Sequence, residues 1–242
     1  MRDLHTHILP GMDDGAPDAA AALAMLRMEA GQGVTGAALT PHFHRRRETP
    51  ERFLARRADA WRRLEAALGE EALPALVPGA EVAWAPNLDR WDELEALCLG
   101  RSRYLLLELP ASPWDSALLD QLYSLAGRGT VTPVLAHLER YLGSQRPDHI
   151  REVLGLGVPV QLSASCLLRP LAWRRAAGLL RTGGCFLLAS DCHDTSRRPP
   201  DLGPGMAMAE KRLGRGAAAA LLAAGEEIFA AALGEEAANA EK

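Results

Sequence analysis

The sequence carries only four cysteines, Cys98, Cys166, Cys185 and Cys192, scattered along 242 residues with no Cys-x-x-Cys pair. That spacing argues against both a zinc knuckle and a disulfide framework. An excess of charge of one sign is also missing: 27 Lys+Arg face 31 Asp+Glu, a formal net charge of −4. Such a balance gives no electrostatic case for binding nucleic acid in bulk. No apolar run approaches the ~20 residues of a membrane span, and the opening MRDLHTHILP lacks the layout of a secretory leader. The expectation is a cytoplasmic protein without membrane insertion. Neither an internal repeat nor a low-complexity linker interrupts the middle, so a single domain over 1–242 is expected. What is present is a globular composition, 48% hydrophobic and 24% charged, with ample chain for a core.

Short apolar runs alternate with longer amphipathic ones. Seven strand candidates are RDLHTH (2–7), VTGAALT (34–40), LVPGAEV (76–82), RYLLLEL (103–109), TPVLAH (132–137), VPVQLS (158–163) and CFLLASD (185–191). They are nearly continuously apolar, as strands covered on both faces are. Helices are expected near 17–31 with Pro17 at its first position, near 50–68 capped by Thr49 with Pro50 next, and near 87–98, 115–128, 147–155, 170–182 and 205–224. Gly100, Gly129, Gly157 and Gly183 punctuate helix ends. An Ala/Glu-rich segment near 225–242 reads as a terminal helix fraying into solvent. Seven β-then-α units predict an α/β fold, either a barrel or an open wound sheet, one unit short of the usual eight-unit barrel.

The unusual residues fall at one end of that scaffold. His5 and His7 close the first strand, and Asp14 lies in the loop beyond. His42 follows the second strand, Glu81 ends the third, Glu108 the fourth and His137 the fifth. Asp191 and His193 end the seventh. In a barrel of this kind the C-terminal strand ends carry the active site. A glutamate inside LLLELP is costly unless paired or metal-bound. His5 and His7, two apart on a strand, point to the same face. Imidazole with carboxylate suits zinc, manganese or iron, and nine candidates exceed what one ion needs. Three divalent ions against Asp14, Glu81, Glu108 and Asp191 would leave a positive site that attracts phosphate. His149, on a helix, reads as structural. His44 beside Arg45, Arg46 and Arg47 reads as part of a solvated rim.

These residues also form a family pattern. DLHTHILPGMDDGA (3–16) resembles the opening of the bacterial manganese-dependent protein tyrosine phosphatases of the polymerase and histidinol phosphatase (PHP) superfamily, of the capsule-regulating CpsB/YwqE type. TPH (40–42), GAEV (79–82), LLLELP (105–110), PVLAHLERY (133–141), QLSAS (161–165) and SDCH…RPP (190–200) continue the match in order. The resemblance implies a distorted (β/α)7, TIM-like barrel, the PHP fold. It implies two or three divalent metal ions, manganese first, with iron, zinc or cobalt as alternatives. One ion would use His5, His7, Glu81 and Asp191; Glu81 would bridge to a second held by Glu108 and His137. A third would use Asp14, His42 and His193. Arg140 and Arg198 match the two arginines that grip the phosphoryl group. The implied substrate is phosphotyrosine on a protein, the tail of a bacterial tyrosine autokinase in capsule regulation. Leu138 stands where the family usually has proline, and Phe43 where it commonly has a second histidine.

A small-molecule phosphatase of the histidinol phosphatase type would share the same ligands. A non-catalytic metal-binding domain would lack some of them, and none is missing. Cys192 and Arg198 also have the Cys-x5-Arg spacing of cysteine-dependent phosphatases. Pro199 and Pro200 forbid the helix that such a loop needs at the arginine, and Asp191 would raise the thiol pKa.

Overall fold

The computed structural model describes residues 1–69 and 71–235. In chain order the elements are β1 (Arg2–Thr6), α1 (Ala19–Gly31), β2 (Gly36–Leu39), β3 (His42–Phe43), α2 (Pro50–Glu65), β4 (Ala75–Pro78), β5 (Glu81–Ala83), β6 (Tyr104–Glu108), α3 (Ser116–Gly127), β7 (Thr132–Leu135), α4 (Pro147–Gly155), β8 (Val160–Ser163), α5 (Ser165–Leu168), α6 (Pro170–Leu180), β9 (Phe186–Ala189), α7 (Leu202–Leu213) and α8 (Arg215–Leu233). Every strand pairing is parallel, in two sheets ordered β1-β2-β4 and β3-β5-β6-β7-β8-β9. All seven expected strands are present, the third split into β4 and β5, and β3 (His42–Phe43) is an added short strand beyond the second, which was expected to end at residue 40. Thr40 and Pro41 split β2 from β3, where proline has no N–H to give a ladder; Gly79 and Ala80 split β4 from β5. The sheets also meet through β1: Thr6 pairs with Cys192 in a parallel bridge. His7 N donates to Cys192 O at 2.9 Å and Asp191 N to His5 O at 2.8 Å.

Alternation along the strands creates two apolar layers. Leu4, Ala38, Val77, Leu106, Val134 and Leu187, one from each of six strands, form an inner cluster with Ile228, Phe229 and Ala232 of α8. The opposite strand faces, including Leu39, Leu105, Leu107, Leu135 and Leu188, pack beneath the other helices. α8 therefore covers the strands at the end away from the histidines. Gly36 makes room for it, since a Cβ there would stand 2.5 Å from the Phe229 ring.

Several expectations need correction. The terminal helix does not fray: Leu221, Ile228, Phe229 and Ala232 are buried, and Gly234 ends it in a left-handed conformation. The part of that expectation over 236–242 lies outside the described residues. By length and composition α8 could cross a membrane, but its apolar face is spent on the core. The helix expected over 205–224 is two, broken at Gly214 with φ +86. The helix expected near 87–98 is two 3-10 turns, Leu88–Arg90 and Leu94–Leu97, because Asn87 is left-handed and Trp91 extended. Burial of Leu88, Leu94 and Leu97 outweighs the helical pattern. Asp18, not the residue before Pro17, caps α1, and its side chain accepts from Ala21 N. The Thr49 cap and Pro50 start of α2 stand as expected.

Candidate functional site

All nine candidate ligands converge at the C-terminal strand ends. His5 Nε2 lies 3.3 Å from Glu81 Oε2 and 3.5 Å from Asp191 Oδ1. His7 Nε2 lies 3.4 Å from each of the same two oxygens. His137 Nε2 is 2.8 Å from Glu81 Oε1 and 3.8 Å from Glu108 Oε1. The exposed Asp14 reaches His42 Nε2 at 3.5 Å and His193 Nε2 at 3.6 Å. Three overlapping groups bring one donor atom per residue within 4.8 Å of each other: His7, Asp14, His42 and His193; His5, His7 and Glu81; His42, Glu81 and Glu108. His42 and His7 thus join more neighbours than the family pattern alone implies. His149 sits apart on α4, and His44 lines the site's cavity.

Some ligand atoms contact each other, as His137 Nε2 and Glu81 Oε1 do, but several buried ones have no partner among the described residues. Glu81 Oε2, His42 Nδ1, His137 Nδ1 and His193 Nε2 are buried without hydrogen-bond partners among the described residues. His42 Nδ1 stands 2.8 Å from Glu81 Oε2 and is still misaligned for a bond. Orphaned buried polar atoms are costly, and a cation between them would satisfy several at once. The donor set therefore fits divalent metal.

Two of these residues hold strained backbones. His137 has φ +34 and Asp191 φ +54, a region that side chains other than glycine seldom occupy. Such strain of about 1–3 kcal/mol each persists where surrounding contacts hold it, commonly at functional sites. Here Gln161 Oε1 accepts from His137 N at 2.7 Å, and the Asp191 N bond to His5 O secures the other.

Electrostatics favour the ionised form of two buried carboxylates, while burial and then Glu81 push the Glu108 pKa up. Burial opposes the charge on Glu81, yet His5, His137 and His42 hold its pKa well below the ordinary value. Burial likewise opposes Asp191, and His5, His7 and Arg140 hold it well below. Burial disfavours charge on His7 too, but Asp13, Asp191 and Glu81 raise it well above normal. His193 is pushed down to about 4 by burial and the neighbouring His7 and Arg198. The downward shift favours the neutral imidazole, the form in which histidine binds metal.

Arg140 and Arg198 both turn onto Asp191. Arg198 Nη2 donates to Asp191 Oδ1 at 2.8 Å, and Arg140 Nη2 donates to Asp191 Oδ2. A 3-10 turn, Leu138–Tyr141, carries Arg140. Leu138 is fully buried, and Tyr141 Oη donates to Leu109 O at 2.6 Å, so leucine in place of proline leaves this turn anchored. The site opens into a cavity of ≈ 680 Å³ lined by Asp13, Asp14, His42, His44, Arg47 and Glu108, among others. Of the arginine run, Arg45 stacks 4.5 Å over Trp91 and Arg47 faces this cavity.

The sequence reading missed Asp13. Its Oδ2 lies 2.7 Å from His7 Nδ1 and accepts from His42 N at 2.8 Å; its Oδ1 accepts from Gly15 N at 3.0 Å. Asp13 therefore orients two candidate ligands, as outer-shell carboxylates do. The loop folds back so tightly that a Cβ on Gly15 would lie 2.0 Å from His7 O. The Asp-Asp-Gly run was the available signal. Gln161 was missed as well; a polar residue inside apolar VPVQLS invited the reasoning applied to Glu108. It lies 3.1 Å from His5 Nδ1.

Cys192 is fully buried with Sγ 3.8 Å from Glu29 Oε1. Burial, then Glu29 and Asp3, push its thiol pKa well above normal. It is no thiolate nucleophile, and the helix after Arg198 begins only at Leu202.

Parallel strands whose ends gather histidines and carboxylates define an α/β protein built to hold metal. The family model for capsular polysaccharide synthesis, CpsB/CapC, matches residues 1–229, and the chain belongs to that family. It is 28% identical over 213 residues to the tyrosine-protein phosphatase CpsB of Streptococcus pneumoniae, covering 83% of this chain and 86% of that one. It is 29% identical over 204 residues to the tyrosine-protein phosphatase YwqE of Bacillus subtilis, covering 82% and 79%. Its fold is that of a solved chain from work on YwqE of Bacillus subtilis and CpsB of Streptococcus pneumoniae, described as metal-dependent tyrosine phosphatases. That match has a TM-score of 0.82 and 23% identity, over 97% of this chain and 95% of the other. An organophosphorus hydrolase mutant shares the general fold, with a TM-score of 0.55 at 14% identity over 94% and 92%.

Proposed function

We propose that this protein is a metal-dependent phosphomonoesterase that hydrolyses phosphotyrosine on a protein, with the tail of a bacterial tyrosine autokinase in capsule regulation as the substrate. One observation carries the reading: nine imidazole and carboxylate groups meet at the strand ends with Arg140 and Arg198 both turned onto Asp191. The kinship with tyrosine-protein phosphatases supports the substrate class. The Thr6–Cys192 bridge between the sheets supports a distorted seven-unit barrel as the frame, and an active site in the cytoplasm fits an intracellular kinase tail.

His5, His7, Glu81 and Asp191 would hold one divalent ion, Glu108 and His137 with Glu81 a second, and Asp14, His42 and His193 a third. Manganese suits this nitrogen and oxygen set, with iron, zinc and cobalt as alternatives. Bound there, the ions would supply Lewis-acid charge and acidify water at neutral pH. The chain's own part is orientation and charge. Arg140 and Arg198 present guanidinium forks that match phosphoryl oxygens, and they gain most as charge spreads in the transition state. Asp13 holds His7 and the His42 backbone in place. A phenol leaving group, with a pKa of ~10, needs less proton donation than an alkyl alcohol.

Steady-state kinetics on a phosphotyrosyl peptide and on histidinol phosphate, before and after chelation and manganese reloading, test this. The expected result is a manganese-restored preference for the peptide. Full activity in chelator refutes the metal assignment, and a preference for histidinol phosphate moves the substrate to the small-molecule class.

A further inference from the structure

A second cavity, of ≈ 350 Å³, adjoins the two arginines that pair with Asp191. Its lining includes Arg140 and Arg198, and beyond them Arg169, Arg175, Ser163 and Glu139. Arg140 and Arg198 thus stand in a shared wall between the Asp191 carboxylate and this pocket. Arg169 and Arg175 are exposed and make no ion pair among the described residues. Two unpaired guanidinium groups facing one concavity repel each other, and an anion between them removes that cost.

Further features of the pocket favour an anion. Ser163 is 2% exposed and its Oγ has no hydrogen-bond partner. The first turn of α6, eleven residues long, has no side-chain cap, and Ala172 of that turn lines the pocket. Its free N–H groups and the positive end of its dipole add to the arginines. The acid in the wall, Glu139, is buried and occupied, its Oε2 accepting from Ser163 N at 3.3 Å. Arg140 and Arg198 are already paired with Asp191, and Arg169 also acts on the half-buried Asp201, so the cations left without an ion pair at this pocket, among the described residues, are Arg169 and Arg175, set against the one engaged carboxylate of Glu139.

We infer that this pocket is an anion subsite for a second acidic group on the substrate chain, a carboxylate or a phosphate a few residues from the phosphotyrosine being hydrolysed. The inference rests on the phosphotyrosine reading above, because the pocket adjoins the phosphoryl position through Arg140 and Arg198. It extends that reading from a single phosphoryl group to the surrounding peptide. Arg169 and Arg175 determine specificity and take no part in bond breaking. An exposed anion contact of this kind weakens as salt rises, since charges more than ~8–10 Å apart are screened at physiological ionic strength.

The test uses the manganese-loaded full chain and three peptides that share one phosphotyrosine, with alanine, glutamate or a second phosphotyrosine at flanking positions up to three residues away. The wild type is expected to give kcat/KM about tenfold higher on the acidic peptides than on the alanine peptide, with the advantage shrinking in high salt. In Arg169→Ala/Arg175→Ala the ratio of acidic to alanine peptide should fall to within about twofold of one. Arg175→Glu, a single exposed change that does not depend on the double variant folding, should push the ratio below one. A gain for glutamate and phosphotyrosine alike assigns a general oxyanion site; a gain for phosphotyrosine alone assigns a phosphate site. A wild type indifferent to flanking charge, or variants that keep the full preference, overturns the subsite while leaving phosphotyrosine hydrolysis standing. A wild type that turns over histidinol phosphate but none of the peptides overturns the phosphotyrosine reading itself, and the subsite falls with it.

Discussion

Asp13→Asn is the sharpest probe of how this chain prepares its metal site, because it changes one charge and no volume. In the native loop one oxygen, Asp13 Oδ2, stands 2.7 Å from His7 Nδ1 and 2.8 Å from the donating His42 N. Burial works against the Asp13 charge, yet the bond to His7 and the His7 charge hold its pKa far below the ordinary carboxylate range. Asparagine offers one acceptor oxygen: aimed at His7 and His42 it sets its NH₂ against the donating Gly15 N, and aimed at Gly15 it gives up both of the others, so in either orientation a loop bond is lost together with the charge facing His7. A hydrogen bond to a charged group contributes roughly 1.5–3 kcal/mol. Tenfold in an equilibrium constant is about 1.4 kcal/mol, so the expected loss in metal affinity is about 10- to 100-fold, the range found for outer-shell partners of metal-bound histidine. The assay titrates manganese into chelated wild type and variant, reading activity and bound metal on the same samples. The activation midpoint should rise by that factor, with much of kcat recovered at saturating manganese. A midpoint within twofold of wild type refutes the positioning role of Asp13.

Three further outcomes are expected. Arg140→Ala and Arg198→Ala should each lower kcat about 30- to 1,000-fold with metal content unchanged, the scale of removing one charge-stabilising donor; near-normal kcat/KM in both would remove the phosphoryl clamp. Cys192→Ser should stay within about tenfold of wild type, since the thiol is buried away from the cavity; complete loss with metal still bound would point to a cysteine mechanism. Asp201 has its pKa pushed up to about 7 by burial and then by Asp3, and its buried Oδ1 has no partner among the described residues. Its folded pKa lies above its unfolded one, so the folded state holds the extra proton and the group erodes stability as pH rises from about 4 to 7. Asp201→Asn should therefore raise the Tm of chelated protein by a few degrees at pH 8 and much less at pH 5, for a gain of about 1–2 kcal/mol after discounting its partial exposure. Equal shifts at both pH values, or a loss at pH 8, would count against this account.

The sequence by itself determined where the strands run and what stands at their ends. Seven apolar runs, each followed by a helical stretch, are a local pattern, and Thr49-Pro50 or Gly157 act on the chain within a few residues. Histidines and carboxylates at strand C-termini were legible for the same reason, since β-then-α units put those ends on one side of the fold. Tertiary structure decided what depends on residues far apart in the chain. Asp13 matters only because the loop folds back onto His7 and meets His42, 29 residues away. Gln161 matters because β8 brings it beside His5, 156 residues distant. The Ala-rich α8 has a weakly marked apolar face, and its docking of Phe229 over Gly36 comes from the space that the strands leave. Spacing places Cys192 and Arg198 in a familiar pattern; packing turns the thiol toward Glu29 and the guanidinium toward Asp191. Periodicity acts over a few residues, whereas the charge, burial and partners of a side chain belong to whatever the folded chain brings against it.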